Sequence, residues 1–435
     1  MKQLLVFCFT CSLFFPFHLS SPHPLPPTPA SPLQIVGYND NNNNRRFLHH
    51  PLVHSVANSD QTELSENTTD EMHKILNKVE NLNHHHQHPI QQPELPGKAV
   101  IQDNERFVSA NNQPGTYPRV AHLSDGSFLS GYTHFEGDTR QLLVARSTDN
   151  AQHFEPWGVV SSGNNATNDM DNMFLLEVTP PGTILAAFRN HDVGQNGPSW
   201  FRITVCRSPD WGRTWAFASQ AVEKGPPLGV WEPFMRKGLN GEIQMTFSEE
   251  FAPDDQRTML VKSTDQGKTW TPPKCVAGSE DRFRDGMTGI AGTKDNGRDA
   301  LVLVFETTRY GPHFDVEAMI SYDDGASWHG RHEVFRPPHG RSAGSPQIGS
   351  FGDGSLAVVF MSDLSVSSTN WPVNASVNIV FSGPPHDGKF HWTSPKEVSP
   401  PNSSWPGIVP LDGHTSLVLY DHGGPKGKTI TWEKK

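Results

Sequence analysis

The chain has 435 residues, a formal net charge of −11 and 19% charged residues. Acidic chains bind phosphate backbones poorly, so the composition argues against a nucleic-acid-binding protein, whereas a neutral substrate meets no electrostatic objection. The 37 Gly and 37 Pro are the residues that mark turns, and no long helical pattern lies between them.

The first 21 residues have the pattern of a secretory signal peptide. Lys2 precedes an apolar run from Leu4 to Phe17, and the small residues Ser20 and Ser21 follow it. A basic start, a short apolar core and a small-residue end are typical of export signals. The run is shorter than the roughly 20 apolar residues that span a bilayer. We therefore expect a secreted, extracellular protein without a membrane anchor.

Export would expose the chain to glycosylation and to an oxidising environment. Candidate N-glycosylation triplets begin at Asn67, Asn165, Asn374 and Asn402. Cys206 and Cys275 are the only cysteines that follow the signal peptide. They could pair in an oxidising compartment, or they could remain two separate buried thiols, because spacing along the chain does not define disulfide geometry.

Residues 22–98 differ in composition from the rest of the chain. They contain the low-complexity stretches SPHPLPPTP, NDNNNNRR and HHHQH. Such a segment cannot bury enough apolar surface to offset the entropy of ordering, so we predict that it is mostly disordered, with at most a short helix over Glu71–Asn83. A solvated polar tract explains the run His84–His86 better than a metal site does, and we expect no cofactor.

Residues 99–435 contain a unit that recurs six times. Short β-rich runs alternate with turns, which predicts an all-β domain. The second strand of each unit ends in an aromatic residue, and these strands are 127–132, 183–188, 242–247, 300–305, 355–360 and 415–420. A period near 57 residues with about four strands per unit predicts a six-bladed β-propeller. We expect a strand around Val100–Val108 to complete the last unit and close the ring.

A second motif, Ser-x-Asp-x-Gly-x-Thr/Ser-Trp, lies in the back half of the units. Full copies span Ser208–Trp215, Ser263–Trp270 and Ser321–Trp328, and degenerate copies begin at Ser147 and Ser382. The residue types fit a tight hairpin in which Asp accepts bonds from turn amides, Gly takes a positive φ and Trp packs between blades. This motif is the Asp-box, and residues 100–435 resemble the Asp-box propellers of the sialidase superfamily.

The repeat also predicts which residues meet at one end of the central channel, here called the mouth. The first strands begin there at Tyr117, Asn172, Glu232, Asp285, Ser345 and Trp405, and the second strands end there before Thr133, Arg189, Ser248, Glu306, Met361 and Asp421. Glu232 and Glu306 thus come from adjacent blades. Glycoside hydrolysis commonly uses two carboxyl groups, and crowding them in a partly dry pocket raises one pKa.

Several blocks resemble the exo-acting arabinanases of glycoside hydrolase family 93. They are MDNMFLLEVTPPGTILAAFRNHD, GVWEPFMRKG, FRDGMTGIAG, LVFETT and GSPQIGSFGDGSLAVVFMSD. The resemblance implies release of arabinobiose from α-1,5-linked arabinan with retention, and the family's two catalytic glutamates match Glu232 and Glu306. We assign Glu232 as acid/base and Glu306 as nucleophile, with carboxyl groups about 5–5.5 Å apart if the mechanism is retaining.

The remaining mouth residues are expected to bind substrate, with Trp231 stacking on a sugar face. The predicted binding residues are Arg119, Asp171, Asn172, Arg189, Asn190, His191, Trp231, Arg284, Asp285 and Gln347. Glu136, Glu249 and Glu250 are expected to be bystanders. The partner implied is an oligo- or polysaccharide, and we expect a monomer.

Two other functions remain open at this point. An exo-sialidase would need arginines for the substrate carboxylate, and candidates at the mouth are Arg119, Arg189, Arg284, Arg309 and Arg341. However, TYPRV does not reproduce the Phe/Tyr-Arg-Ile-Pro motif of sialidases, and no tyrosine is clearly paired with a glutamate, although Tyr310 lies near Glu306 in sequence. The second alternative is a non-catalytic carbohydrate-binding propeller, because fold does not determine function.

Overall fold

The computed structural model describes Leu95 and residues 97–434, which form six antiparallel β-sheets. The innermost strands of successive sheets contact one another, and the last contacts the first, so the sheets close into a six-bladed propeller. The predicted fold is therefore confirmed.

The predicted signal peptide, most of the low-complexity segment and Asn67 lie outside the described residues. Within the described part, no helix is long and apolar enough to cross a bilayer.

The strands are numbered in chain order, beginning with β1 (Gly97–Ile101) and β2 (Arg106–Phe107), and a single 3-10 turn, Ala110–Asn112, follows them. Blade 1 contains β3 (Thr116–His122), β4 (Phe128–Glu136), β5 (Thr139–Ser147) and β6 (Glu155–Asn164). Blade 2 contains β7 (Asn168–Val178), β8 (Thr183–Gly194), β9 (Gly197–Ser208) and β10 (Ala216–Lys224). Blade 3 contains β11 (Val230–Lys237), β12 (Ile243–Ala252), β13 (Asp255–Ser263) and β14 (Lys274–Ala277).

The second half of the ring repeats this arrangement. Blade 4 contains β15 (Gly286–Asp295), β16 (Arg298–Thr307), β17 (Asp315–Ser321) and β18 (His329–Phe335). Blade 5 contains β19 (Ala343–Ser350), β20 (Leu356–Ser362), β21 (Ser376–Ser382) and β22 (Lys396–Ser399). Blade 6 contains β23 (Ser404–Pro410), β24 (Thr415–Asp421) and β25 (Pro425–Lys434).

The N-terminal strand closes the ring, as predicted. β1 pairs with β25 from Gly97 opposite Lys434 to Ile101 opposite Ile430. β2 adds a second pairing, with Arg106 opposite Gly427. The closing segment is thus two short strands, which together cover the edge that β25 would otherwise expose.

The Asp-boxes form the predicted hairpins at the face opposite the mouth. In the copy that begins at Ser208, the hydroxyl accepts the Gly212 amide at 2.8 Å, and Asp210 Oδ1 accepts the Thr214 amide at 2.8 Å. Gly212 has a φ of 85°, and Trp215 packs against the apolar core shared with neighbouring strands. The motif therefore stabilises the blades and leaves the mouth to other residues.

The two cysteines are separate thiols in the structure. Cys206 is buried in β9 of blade 2, and Cys275 is half-buried in β14 of blade 3. Of the two alternatives left open by the sequence, the structure therefore has the unpaired one. Burial raises the pKa of the Cys206 thiol to about 11, so it is a poor nucleophile at neutral pH.

Candidate functional site

Each innermost strand carries a β-bulge at the mouth, and one residue of each bulge has a left-handed backbone. These residues are Tyr117 (φ 53°), Asn172 (58°), Glu232 (39°), Met287 (52°), Ser345 (52°) and Trp405 (55°). The register of the inner pair shifts at each of them. Bulges re-aim side chains next to active sites, and a non-glycine residue with positive φ costs about 1–3 kcal/mol. The bulges therefore make this end of the channel the strained one and the candidate for a functional site.

The alignment of the six repeat units was wrong at one of these six left-handed positions. It placed Asp285 at the start of the fourth inner strand, whereas the structure places Met287 there. Gly286, the first residue of β15, pairs with Glu306. The fourth unit has a longer turn and no proline at the strand start, so the turn-based alignment was displaced by two residues.

The residues that follow the second strands lie level with the residues that begin the first strands, as predicted for the mouth. The residue before each left-handed one pairs with the residue after the second-strand aromatic. The pairs are Thr116 with Thr133, Asp171 with Arg189, Trp231 with Ser248, Gly286 with Glu306, Gly344 with Met361, and Ser404 with Asp421. The register therefore brings Glu232 and Glu306 to the same end of two adjacent blades.

Glu232 is a half-buried carboxyl group with a strongly raised pKa. Burial and then the charge of Glu306 raise its pKa to about 8, while Arg189 and a hydrogen bond from Ser248 act in the opposite direction. The Ser248 hydroxyl also accepts the Met287 amide at 3.0 Å. Ser248 thereby links the acidic side chain of blade 3 to the bulge of blade 4. At neutral pH, Glu232 keeps its proton and can act as an acid.

Glu306 is 8% exposed and is held by the backbone of the neighbouring blade. Its Oε2 atom accepts the Ser345 amide at 2.8 Å. Burial raises its pKa to about 7, while that hydrogen bond and the charge of Arg284 lower it. A methyl group on Gly344 would lie 2.6 Å from Oε2 and 3.2 Å from the Trp371 ring. Glycine at this position therefore leaves room for the carboxylate beside a tryptophan.

The two glutamates titrate as a pair. Because the charge on Glu306 raises the pKa of Glu232, the ionisation of one opposes that of the other, and the two protons leave in steps that belong to the pair. Glu306 has stabilising contacts for its charged form, and Glu232 has the higher pKa. Of the two groups, Glu232 thus favours the protonated form more strongly and Glu306 the ionised form, an order that suits an acid/base and a nucleophile.

Blade 1 contributes an arginine–tyrosine pair to the mouth. The Arg119 guanidinium lies 4.1 Å from the centre of the Tyr117 ring and donates to the carbonyl oxygens of Pro118 at 2.8 Å and Trp405 at 3.1 Å. Burial raises the pKa of Tyr117 to about 12, and Glu232 adds to that effect. Tyr117 is therefore a neutral hydroxyl near Glu232. From its sequence position, Tyr117 is predicted to lie at the mouth, but no role is predicted for it.

Blade 2 places a network of ion pairs beside Glu232. Arg189 lies 3.0 Å from Asp169 Oδ1 and 3.6 Å from Asp171 Oδ2. Although burial opposes it, the charges of Arg189 and Arg140 lower the pKa of Asp169 to about 2. Asp171 accepts the Thr133 hydroxyl at 2.7 Å. Of the predicted binding residues, Arg119 and Arg189 thus lie near Glu232, and Asp171 pairs with Arg189. Asn172 follows Asp171 in the bulge of blade 2.

Of three other predicted binding residues, His191 and Trp231 pack between blades 2 and 3, and Asn190 is held within blade 2. His191 is fully buried and lies 2.8 Å from the Val230 carbonyl oxygen through Nε2. Its ring contacts Trp231 edge-on at 4.8 Å, and burial lowers its pKa to about 4. Asn190 donates to the Thr204 hydroxyl at 3.1 Å. The half-buried Trp231 ring is therefore supported from blade 2.

The last three predicted binding residues belong to blades 4 and 5, on the side of Glu306. Each side chain is held by a hydrogen bond to another part of the protein. Arg284 donates to Glu250 Oε1 at 2.8 Å. Asp285 is fully buried, and Arg331 Nη1 donates to it at 2.6 Å. Gln347 donates to the Thr288 carbonyl oxygen at 2.8 Å and ties blade 5 to blade 4.

Sequence reasoning missed Trp371, which lies beside Glu306. It belongs to the long loop between β20 and β21 and is half-buried. Nothing in the repeat pattern indicates where such a loop folds. Among the described residues, no group of three or more His, Cys, Asp or Glu side chains is arranged to hold a metal ion.

Comparison with solved structures identifies the architecture. A family 93 α-L-arabinofuranosidase of Fusarium graminearum, solved with arabinobiose, superposes with a TM-score of 0.55 at 17% identity, covering 78% of this chain and 98% of that chain. An α-L-arabinanase of Penicillium chrysogenum gives a TM-score of 0.52 at 16% identity, covering 77% and 98%. The chain thus has the propeller fold of these two enzymes.

The propeller is also similar in fold to a sialidase. The NanB sialidase of Streptococcus pneumoniae superposes with a TM-score of 0.52 at 12% identity, covering 76% of this chain and 71% of that chain. No family model and no curated protein matches the sequence. At these identities the likeness concerns the fold, so the chemistry must be argued from the site.

Proposed function

We propose that this propeller is a secreted, exo-acting glycoside hydrolase that releases arabinobiose from α-1,5-linked arabinan with retention. The observation that carries the proposal is the pair formed by Glu232 and Glu306, which share the mouth and have raised pKa values. Two of the similar propellers, one an arabinofuranosidase and the other an arabinanase, were solved with arabinobiose, which supports the choice of arabinan.

In the proposed mechanism, the protonated Glu232 donates its proton to the glycosidic oxygen as the bond to the anomeric carbon breaks. Glu306, stabilised as a carboxylate by the Ser345 amide, attacks that carbon and forms a glycosyl-enzyme intermediate. Glu232, now ionised, takes a proton from a water molecule whose oxygen attacks the anomeric carbon. The bond between that carbon and Glu306 breaks, which releases the sugar and restores both groups. The assignment follows the pKa order, because the acid is the group with the higher value.

The environment of the arginines supports a neutral sugar over an acidic one. Arg119 and Arg341 donate to backbone carbonyl oxygens. Arg189, Arg284 and Arg309 are paired with carboxylates. A sialidase needs arginines that turn toward the substrate carboxylate, whereas all five candidates here already have partners.

One observation favours an exo-sialidase as the second candidate. Tyr117 lies within electrostatic reach of Glu232 and next to Arg119, which is the combination of a tyrosine, a glutamate and an arginine that sialoside cleavage uses. Tyr310 does not provide it, because its ring is 47% exposed and lies under Arg336. A sialidase would cleave an aryl sialoside and lose that activity in Tyr117→Phe.

The decisive experiment is product analysis on linear α-1,5-arabinan. We expect the intact protein to release a disaccharide, and Glu232→Gln and Glu306→Gln to lose at least about 1,000-fold in kcat. Glu249→Gln, whose side chain pairs with Lys224 at 3.1 Å, is the matched control and should remain active. An intact protein that binds arabinan without cleaving it would instead indicate a carbohydrate-binding propeller.

The remaining parts of the proposal concern the mature protein. Export through cleavage near residue 21, attachment of glycans at the sequons and a monomeric state are expected together for a secreted hydrolase of this kind. N-terminal sequencing, glycosidase-induced mass shifts and light scattering of protein recovered from the medium test them in turn.

A further inference from the structure

Exposed aromatic side chains are concentrated on the mouth face of the propeller. Phe135, Trp200, Phe251 and Tyr310 are 36%, 38%, 42% and 47% exposed. Each lies in or beside the hairpin between the second and third strands of blades 1, 2, 3 and 4, respectively. Because the second strands run toward the mouth, these hairpins surround it. We call these four residues the aromatic rim.

The opposite face provides a useful contrast. Its large exposed apolar side chains are Phe217, at the start of β10, and Leu239, in the turn between β11 and β12, with 65% and 85% exposure. They lie in two neighbouring blades, whereas the aromatic rim has one member in each of four consecutive blades. The regular placement around the channel is what requires an explanation, since single exposed apolar residues are normal.

The rim rings are held in place by their neighbours. The Arg257 guanidinium lies 4.4 Å from the centre of the Phe251 ring, and that of Arg336 lies 3.8 Å from the centre of the Tyr310 ring. The Trp200 ring packs against the backbone at Gly225. Such contacts cover one part of each ring and leave the rest in solvent, so that the rings are oriented before any ligand arrives.

The charges around the rim cancel. Arg257 pairs with Asp255 at 2.8 Å, and Arg336 pairs with Glu333. Arg140, which lies 5.1 Å from the centre of the Phe135 ring, pairs with Asp169. The rim therefore offers aromatic surfaces without a surplus of positive charge. This combination fits a neutral sugar chain, whose apolar C–H faces stack on aromatic rings, better than an acidic polymer.

The spacing also favours a chain over a folded protein partner. A stable protein interface buries about 800 Å² per partner in one contiguous patch, whereas the rim rings are separated by ion pairs. The hairpins lie one to two strand spacings outside the inner strands, roughly 5–10 Å. A flexible polymer that enters the mouth would cross this distance within a few sugar units.

We propose that the aromatic rim binds the part of a neutral polysaccharide that extends beyond the mouth, so that the protein prefers polymeric over short substrates. This inference rests on the proposed hydrolase function and specifies its substrate class. The rim residues touch no reacting atom. Their effect is on capture of the polymer, and the chemistry stays with Glu232 and Glu306.

The test compares long and short substrates in matched variants. Trp200→Ala/Phe251→Ala removes two rim rings from adjacent blades, and Phe217→Ala/Leu239→Ala removes two exposed apolar side chains from the opposite face. We expect the rim variant to lose roughly tenfold in kcat/KM on long linear arabinan, mainly through KM, because it lacks two of the rings on which the polymer stacks. Its kcat/KM on arabinotriose, and both values for the control variant, should stay unchanged.

Binding separates this proposal from the proposed function. Glu232→Gln protein is run through gels that contain linear arabinan, neutral galactan or acidic polygalacturonate. Retardation by a neutral polymer that is lost in the rim variant supports the proposal, even if the intact protein proves to have no hydrolase activity. The proposal is overturned by equal losses on arabinan and arabinotriose, by no loss on the polymer, or by retardation in polygalacturonate alone.

Discussion

Replacing Gly344 by alanine should displace the carboxylate of Glu306 while leaving the propeller folded. The new methyl group would lie 2.6 Å from Glu306 Oε2, whereas comfortable contacts begin near about 3.5 Å. The carboxylate must therefore move by roughly 0.9 Å, and its hydrogen bond from the Ser345 amide will weaken. A misplacement of about 1 Å costs on the order of 100-fold in rate, so we expect kcat to fall by about 30- to 100-fold, or about 2–3 kcal/mol.

The assay is kcat on an arabinan oligosaccharide, with the melting temperature measured in parallel. Gly292→Ala in β15 is the matched control, because its methyl group would meet nothing within 4 Å. If the effect passes through Glu306, adding Gly344→Ala to Glu306→Gln should cost little more. Normal kcat in Gly344→Ala, or a full additional loss in the double variant, would refute the placement of Glu306 in the reaction.

Three further predictions concern pH and stability. The pH profile of kcat/KM should be bell-shaped. Ser248→Ala should move its basic limb to higher pH, because the hydroxyl lowers the pKa of Glu232 and its removal raises that pKa further. A shift of the basic limb to lower pH would contradict this. Arg331→Met should lower the free energy of unfolding in urea by about 3–5 kcal/mol, since it leaves the fully buried Asp285 without its cation. The fully buried Glu317 also loses Arg331 and keeps Arg309, at 3.5 Å. In an Asp-box, turn hydrogen bonds lower the pKa of Asp265 to about 2. That stabilisation is present above about pH 4 and lost as the pH falls toward 2, so Asp265→Asn should cost about 1 kcal/mol at pH 7 and reduce the acid sensitivity of thermal unfolding.

The fold could be predicted because its signals are local and repeated. Buried second strands such as β8, with Leu185 through Phe188 fully buried, read as continuous apolar runs of strand length. The Asp-box needs a glycine at positive φ, and Gly212, Gly267 and Gly325 have φ values of 85°, 82° and 81°. Because both signals recur along the chain, a strand or turn that is ambiguous in one unit can be located by comparison with the other units.

The details of the site could be predicted less completely, because they depend on packing between blades. The sequence places His191 two residues beyond a ring position, but only the structure shows that the side chain is fully buried against Phe201 and Trp231. Asp285 has the residue type of a binding group, yet Arg331 from the outermost strand of the same blade reaches it. Trp371 comes from a loop whose path no local pattern specifies.

The six bulges explain why the two glutamates could nevertheless be found. The left-handed position is occupied by Tyr, Asn, Glu, Met, Ser and Trp in the six blades, so the fold imposes the backbone strain regardless of the side chain. A glycine would adopt this backbone without strain, but none of the six positions is a glycine. Each bulge therefore presents a side chain at the mouth end of its strand. The chemistry of the mouth can then be changed by substituting the left-handed bulge residue of a blade and the residue that follows the aromatic end of its second strand. In this chain, such positions in adjacent blades carry Glu232 and Glu306, and the acid–nucleophile argument follows from that adjacency.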